Sequence, residues 1–498
     1  ISSEEDQFHG APFRKDIAEA MVEQKLTFLR YAGTMIECDG YRFKSMIGPR
    51  EDRPVYNGRF YGYASHGFGI EDFLNYCELS GFEPVFAVNS FETAEDMAFM
   101  IKYLKGDVST PEGKMRADNG HPEPYHLTYI EIGNEEVLGG DNADQYMDYV
   151  RRFTDIYQAI HSIDPTIKFI SSAWWRPESE DNMRDVFECL DGMADYWDYH
   201  PWADSDELGG HVEREMKQMQ EMFLKWNPNT TMKCALFEEN GNSHNIRRAL
   251  GHVTIQNAAR RMGDFVLATC AANALQPYKQ NDNGWDQGTV FFTPSQVWGM
   301  PTYYAQKMAS ENHKPLLVQS EAPASLDVVA ATDENCDQVV LYVVNKNAEA
   351  VEANVNVAGK NDTKQVRTIT LSGQLNDVNT PSEPERIVPV AETLDGVDNI
   401  NYSFKPYSYT IMIFDNKSVG ISDVTEDSYL VVSADKQIVI RSAGNENTPY
   451  EVFSLAGASI AKGKVAASGE ASVNCQAGAY LVALRTVDGT KVYKVIVR

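Results

Sequence analysis

The sequence predicts an α/β protein built on a (β/α)8 barrel, followed by a β-sandwich and a small C-terminal β-domain. Three observations carry that prediction. Short apolar strands alternate with amphipathic helices from about residue 13 to residue 310. Near residue 316 the helical period stops, and strand patterns between polar turns replace it. The chain has 498 residues, more than one hydrophobic core normally holds, so it divides into domains.

Asp16 to Gln24 reads as a helix and Leu26 to Arg30 as a strand. The alternation continues through a helix at Glu71 to Leu79, a strand at Pro84 to Asn89 and a helix at Ala94 to Leu104. A strand at Leu127 to Gly133 precedes a helix at Ala143 to His161 and a strand at Ile167 to Ser171. A helix at Asn182 to Leu190, a strand at Tyr196 to His200, a helix at Val212 to Trp226 and a strand at Met232 to Glu238 follow. A long helical stretch from Ile246 to Leu267 then leads into a strand at Ala274 to Tyr278, with a last helix near Thr302 to Ala309. Strands separated by helices run parallel, and seven countable units favour a closed barrel over an open sheet. The remaining strand, the first, belongs before the helix at Asp16, where only a polar stub stands, so the sequence is expected to start inside or just after strand one, with that strand missing.

The barrel is assigned to residues 1–312 and the jelly-roll-like sandwich to 313–416. Val328 to Ala331, Gln338 to Asn345, Ala353 to Val357, Val366 to Leu371 and Tyr407 to Asp415 are its strands. A polar linker spans Asn416 to Asp427, and a small β-domain is assigned to 425–498, with Asp488-Gly489 as a hairpin turn.

Charge narrows the function classes. With 44 basic and 72 acidic residues the net charge is -28, which repels nucleic-acid phosphates and anionic membrane surfaces. A neutral substrate such as a sugar meets no such barrier. No apolar run approaches the roughly 20 residues of a membrane helix, so no membrane insertion is expected. Seven cysteines are scattered without a C-x-x-C pair, which is neither a disulfide framework nor a zinc-finger spacing.

Two strands end in carboxylates. Strand four of the expected barrel closes with Gly133-Asn134-Glu135-Glu136, and strand seven with Phe237-Glu238-Glu239-Asn240. Catalytic residues of such barrels sit at the C-terminal strand ends, where these two strands face each other across the mouth. Acidic residues also end strands as solvated loop residues, but an opposed pair is what a retaining glycosidase requires, at roughly 5–5.5 Å. One carboxyl attacks the anomeric carbon; the other protonates the leaving oxygen and then activates water. Glu135 is the candidate acid/base and Glu238 the candidate nucleophile, although alternation alone leaves Glu238 and Glu239 open. Asn134 places an amide beside the acid, suited to a sugar 2-hydroxyl. Strand six ends Asp198-Tyr199-His200-Pro201-Trp202, where His200 either binds substrate or serves a structural turn. Trp174, Trp175, Trp202 and Trp285 are candidate stacking surfaces. There is no G-x-S-x-G elbow, H-E-x-x-H, Walker loop or G-x-G-x-x-G. No metal or organic cofactor is expected.

Arg116 to Tyr125, the stretch Tyr129 to Glu136, Phe28-Leu29-Arg30-Tyr31-Ala32-Gly33, Ile47 to Pro54 and Phe291 to Tyr304 together resemble glycoside hydrolase family 51, most of all its plant-type and Bacteroidetes α-L-arabinofuranosidases. The resemblance spans roughly residues 8 to 415. It implies a (β/α)8 barrel with Glu135 as acid/base after Asn134 and Glu238 as nucleophile. It further implies substrate contacts from Arg30, His200 and Gln287. The family's usual Arg-Tyr/Phe-Pro-Gly-Gly run is here Arg30-Tyr31-Ala32-Gly33-Thr34 with Met35 following, which leaves the identity of the furanose open. The implied activity is removal of terminal α-L-arabinofuranosyl residues from plant cell-wall polysaccharides or oligosaccharides. Another furanoside, or an endo-β-glucanase or xylanase activity of the same clan, is the alternative, and a non-catalytic glycan binder a third. Tyr450 to Gly457, Gly478 to Val482 and Lys494 to Arg498 resemble a type IX secretion sorting domain, which implies a secreted, periplasmic or cell-surface location. Oligomeric state is not legible.

Overall fold

The computed structural model describes residues 6–59, 62–280, 287–357, 365–395, 399–415, 429–434, 436–442, 447–454, 458–476, 478–486 and 489–497. The chain forms two compact units, 1–417 and 418–498.

In the first unit a parallel sheet of seven strands forms the barrel wall. Its members are β3 (Phe28–Tyr31), β6 (Glu83–Val88), β7 (Tyr129–Glu136), β8 (Lys168–Ala173), β9 (Tyr196–Asp198), β10 (Lys233–Glu239) and β11 (Val266–Ala271). They lie in sequence order from β3 to β11. The numbers between belong to two small antiparallel pairs, β1 (Gln7–Phe8) with β2 (Ala11–Arg14) and β4 (Val55–Tyr56) with β5 (Ala64–Ser65).

Most of the helices are those the 3.6 period anticipates; the one at Pro111–Asp118 is not. Helix α5 (Ala143–His161) starts at Asn142, whose side chain accepts from the Gln145 N–H at 3.2 Å. It buries Tyr146, Tyr149, Val150, Phe153, Ile156 and Ile160, one stripe at spacings of three and four. Helix α3 (Ala94–Lys105) is capped by Thr93, with Glu95 and Asp96 in its first turn and Lys102 and Lys105 in its last, matching the helix dipole. Helices α1 (Lys15–Glu23), α2 (Ile70–Ser80), α4 (Pro111–Asp118), α6 (Glu180–Leu190) and α7 (Val212–Trp226) complete the set before α8 (Ile246–Met262).

The polar segment before Asp16 supplies no barrel strand. It forms the β1–β2 hairpin, which stays out of the barrel sheet because Phe8 and Phe13 pack on Tyr76 of α2. The barrel sheet therefore has β3 and β11 at its two edges, beside a cavity of about 670 Å³ lined by residues of both strands and of α1. One expectation is corrected: the last barrel strand is not Ala274 to Tyr278. Helix α8 stops at Met262 because Gly263 takes φ 59°, a conformation that resists an L side chain. The chain then enters β11 at Val266, eight residues before the expected strand at Ala274. Leu275–Pro277 is β12 of a separate three-stranded sheet with β13 (Val290–Thr293) and β14 (Gln296–Gly299).

Helix α9 (Pro301–Glu311) leads into the sandwich, β15 (Leu316–Val318) to β22 (Ser408–Asp415). Six of its strands form one sheet, and β18 (Val351–Asn356) pairs with β21 (Asn399–Phe404). Strand β17 (Gln338–Asn345) shows why the local sequence is apolar without interruption. Val340, Tyr342 and Val344 face α8 and α9, while Val339, Leu341 and Val343 face Val355, Ile400 and Phe404. Both faces are buried, so alternation disappears. Each such residue contributes on the order of 1.5–3 kcal/mol by leaving water.

The second unit is all β, from β23 (Tyr429–Ala434) to β29 (Gly489–Val497), in sheets of three and four strands. Ile438, Ile440, Val452, Val465, Val482 and Leu484 form its core. Strands β28 (Gly478–Thr486) and β29 pair antiparallel as a hairpin; Asp488 of the expected turn lies outside the described residues.

Candidate active site

Strand β7 carries the first carboxylate through a deliberate irregularity. Its ladder with β8 runs in register to Ile132 and resumes only at Glu136. In between, Gly133 has φ 85° and Glu135 has φ 45°, so the strand bulges and turns the Glu135 side chain toward the mouth. A Cβ on Gly133 would meet Glu136 at 2.6 Å and Ser172 at 2.7 Å, so only glycine fits. Alternation along the same strand points Glu131 inward as well, where it is completely buried.

Strand β10 ends in two glutamates that part company. Glu238 turns into the barrel, where its Oε2 accepts from Arg30 Nη1 at 2.8 Å and its Oε1 from Asn240 Nδ2 at 3.2 Å. Glu239 turns outward onto α8, where Arg248 Nη1 lies at 2.7 Å and His252 Nδ1 at 2.8 Å. His252 reaches Gln306 on its other side at 2.8 Å. The ambiguity that alternation leaves between the two is thus removed: Glu238 faces the cavity.

Arg30 at the end of β3 ties the site together. Besides Glu238 it donates to both oxygens of Glu131, at 2.7 and 3.0 Å, and to Asn134 Oδ1 at 2.8 Å. Among the described residues Asn134 Nδ2 is buried with no partner in good hydrogen-bond geometry, although it acts on the Glu37 carboxylate, and it can turn to a substrate hydroxyl. His200 stands between Glu135 Oε1, 2.9 Å from its Nδ1, and Asp198 Oδ2, 2.8 Å from its Nε2. The same Nδ1 is 4.0 Å from Glu238 Oε2. Glu135, His200 and Glu238 each offer an atom within 4.8 Å of the others. The carboxylate pair is thus close enough for attack on the anomeric carbon by one and protonation of the glycosidic oxygen by the other.

Burial and charge set the protonation states. Burial works against the Glu238 anion, but the His200 and Arg30 charges outweigh it and hold the carboxyl below its ordinary value. Burial likewise opposes the Asp198 anion, and His200 overcomes it. Burial would strip the proton from His200, yet Asp198 and Glu238 raise it well above the ordinary imidazole value, so it is an imidazolium at neutral pH. Glu131 is pushed up to about 8 by burial, with Arg30 opposing and Asp198 adding to the rise. Two clusters, Glu131–Asp198–His200 and Glu135–His200–Glu238, have the donor types of a cation site. Arg30 and His200 already supply their positive charge.

Of the residues singled out in the sequence, Arg30, Asn134, Glu135, His200 and Glu238 converge. Gln287 is buried beside them and lines the cavity with Glu238: its Oε1 accepts from Gly241 N at 2.6 Å, and its Nε2 donates to Asn240 Oδ1 at 3.0 Å. It holds Asn240, which holds Glu238. Trp202 forms a backbone bridge to Asn240. Trp174 meets His200 edge-on at 6.2 Å, whereas Trp175 belongs to the core beside Trp197 and Phe223. Trp285 lies outside the described residues. Ala32, Gly33, Thr34 and Met35 line the cavity with Glu238. Sequence reasoning missed Glu131, Asp198 and Asn240. The signals existed: Glu131 and Glu135 are four apart on one strand, and Asp198 is two before His200.

Residues 20–221 match the family described as Alpha-L-arabinofuranosidase 1 domain, and residues 226–408 the Alpha-L-arabinofuranosidase C-terminal domain. Alpha-L-arabinofuranosidase 2 of Arabidopsis thaliana is 26% identical over 439 residues, 81% of this chain and 61% of that protein. Alpha-L-arabinofuranosidase 1 of the same plant is 25% identical over 456 residues, 85% of this chain and 63% of that protein. The chain spans about three fifths of the length of these relatives. The crystal structure of α-L-arabinofuranosidase from Thermotoga maritima in its arabinose complex shares the fold, with a TM-score of 0.72 at 23% identity over 83% of this chain and 93% of that one. Motifs, barrel-plus-sandwich architecture and these matches place the chain in the α-L-arabinofuranosidase family, glycoside hydrolase family 51.

Proposed function

We propose that the chain removes terminal α-L-arabinofuranosyl residues from plant cell-wall polysaccharides or oligosaccharides by double displacement with retention. The observation that carries this is the approach of Glu135 and Glu238 oxygens within 4.8 Å. Glu238, kept anionic by Arg30 and His200, attacks the anomeric carbon. Glu135 gives its proton to the departing glycosidic oxygen, leaving a glycosyl ester on Glu238. Glu135 then takes a proton from water, whose oxygen displaces Glu238 and releases the sugar. Asn134 Nδ2 donates to a sugar hydroxyl, a contact that strengthens as the oxocarbenium character grows. His200 donates toward Glu135 and fixes its orientation.

The test is hydrolysis of chromogenic α-L-arabinofuranoside, β-D-galactofuranoside and β-D-xyloside by the protein and by Glu135→Ala. Release from the arabinofuranoside, lost in the variant, is the expected result. Release only from the galactofuranoside would favour a second reading, another furanose, for which the lining by Ala32, Thr34 and Met35 speaks. Turnover of none, with linear β-glucan cut internally, would overturn both.

An exported location, at the cell surface, in the periplasm or secreted, fits the strongly acidic chain and the C-terminal β-unit. Fractionation of producing cells tests it; a cytoplasmic pool alone would refute it.

A further inference from the structure

The barrel mouth carries an aromatic ring that the fold leaves uncovered. Phe91 lies just beyond β6 and is 60% exposed, although its flanking residues Ser90 and Glu92 are buried. It is held rather than loose. Its N–H donates to Asn89 Oδ1 at 2.9 Å, and the Glu92 N–H donates to Asn89 O at 2.9 Å. The Arg152 guanidinium from α5 covers one face of the ring, 4.1 Å from its centroid. Arg152 is itself fixed by Glu136 at 3.0 Å and Ser90 Oγ at 3.3 Å.

The position is as telling as the exposure. Strands β6 and β7 are neighbours, with Val88 opposite Ile132 as their last pair. Phe91 and Glu135 each follow that pair by three residues, on adjacent strand ends of the same rim. Glu136, which anchors Arg152, is next to Glu135 in the chain. A single exposed aromatic is ordinary on any surface. A phenyl ring clamped on one face, at the strand end next to the one that bears the proposed proton donor, with its other face open, is a built platform.

We propose that Phe91 stacks against a sugar ring of the leaving chain and so forms a binding subsite on the acid/base side of the scissile bond. This rests on the reading of Glu135 as proton donor, because the leaving group departs on that side. The apolar C–H face of a sugar ring supplies the partner surface. Arg152 and Asn89 remove the ordering cost that a mobile phenylalanine would add.

The experiment compares Phe91→Ala and Phe91→Trp with the unaltered protein on two substrates. One is methyl α-L-arabinofuranoside, whose leaving group is too small to reach the ring; the other is an α-1,5-arabino-oligosaccharide. Phe91→Ala is expected to lower kcat/KM on the oligosaccharide by about 5- to 10-fold, through KM, with Phe91→Trp retaining it. The methyl glycoside should be turned over as before. Equal rates on the oligosaccharide, or equal losses on both substrates, would overturn the subsite while leaving the arabinofuranosidase reading intact. An unaltered protein that cleaves neither substrate would overturn that reading, and the subsite with it.

Discussion

Arg30 grips Glu131 with two parallel N–H bonds, 2.7 and 3.0 Å long, in a site where neither side chain meets water appreciably. The pair lies directly behind the proposed nucleophile, and Arg30 has only one nitrogen left for Glu238. Removing Glu131 leaves two buried guanidinium N–H groups without their acceptors. Glu131→Ala is expected to cost about 2–5 kcal/mol of stability, measured by denaturant unfolding. Loss of less than 1 kcal/mol would mean that Glu238 and Asn134 alone satisfy Arg30.

His200 and, after it, the same guanidinium set the acid limb of activity. Glu238 is held below the ordinary carboxylate value, so it stays ionised as the pH falls through the range where free glutamates protonate. The acid limb of kcat/KM should therefore lie below that range. Arg30→Met removes one of the two stabilising charges and should move the limb upward, with kcat falling at least about 100-fold. An unchanged limb would assign the depression to His200 alone.

His200 gives the opposite sign. Its value in the folded protein is raised, so the stability it contributes is fully present below the ordinary 6.5 and is lost as the pH climbs through the raised value. The gap in melting temperature between the unaltered protein and His200→Gln should be widest in mild acid and narrow on the alkaline side. A gap that widens with pH would mean that His200 is neutral when folded.

Gly133→Ala tests the bulge. The added methyl would sit 2.6 Å from Glu136 and 2.7 Å from Ser172, on a backbone with φ 85°. A loss of about 1–3 kcal/mol is expected. Activity should fall further than stability, because the bulge aims Glu135. Full activity in a folded Gly133→Ala protein would show that Glu135 is oriented by His200 instead.

Much of this was legible before any coordinates. Period and alternation locate most of the elements because each buries one face, and the carboxylates at the ends of β7 and β10 follow from barrel geometry. What alternation cannot reach is what the tertiary structure decides. Glu238 and Glu239 are equivalent in sequence and differ only because Arg248 and His252 of α8 claim the second. Helix α8 hides its own end, since it is buried on nearly every side and its apolar pattern runs straight into β11. Asp198 and Asn240 look like loop residues and act through His200 and Glu238.

Helix α8 also bears on how the molecule can be divided. One side of it presents Arg248 and His252 to the strand that carries the proposed nucleophile, and another presents Ile246, Ala249, Leu250 and Val253 to the sandwich. The sandwich is consequently no interchangeable appendage. Cutting the chain after α9 would expose an apolar flank of the very helix that immobilises β10. Swapping in a foreign partner domain would shift the reacting carboxylate without touching any residue of the pocket. Recombination between relatives should succeed only where the barrel and the sandwich are inherited as a block.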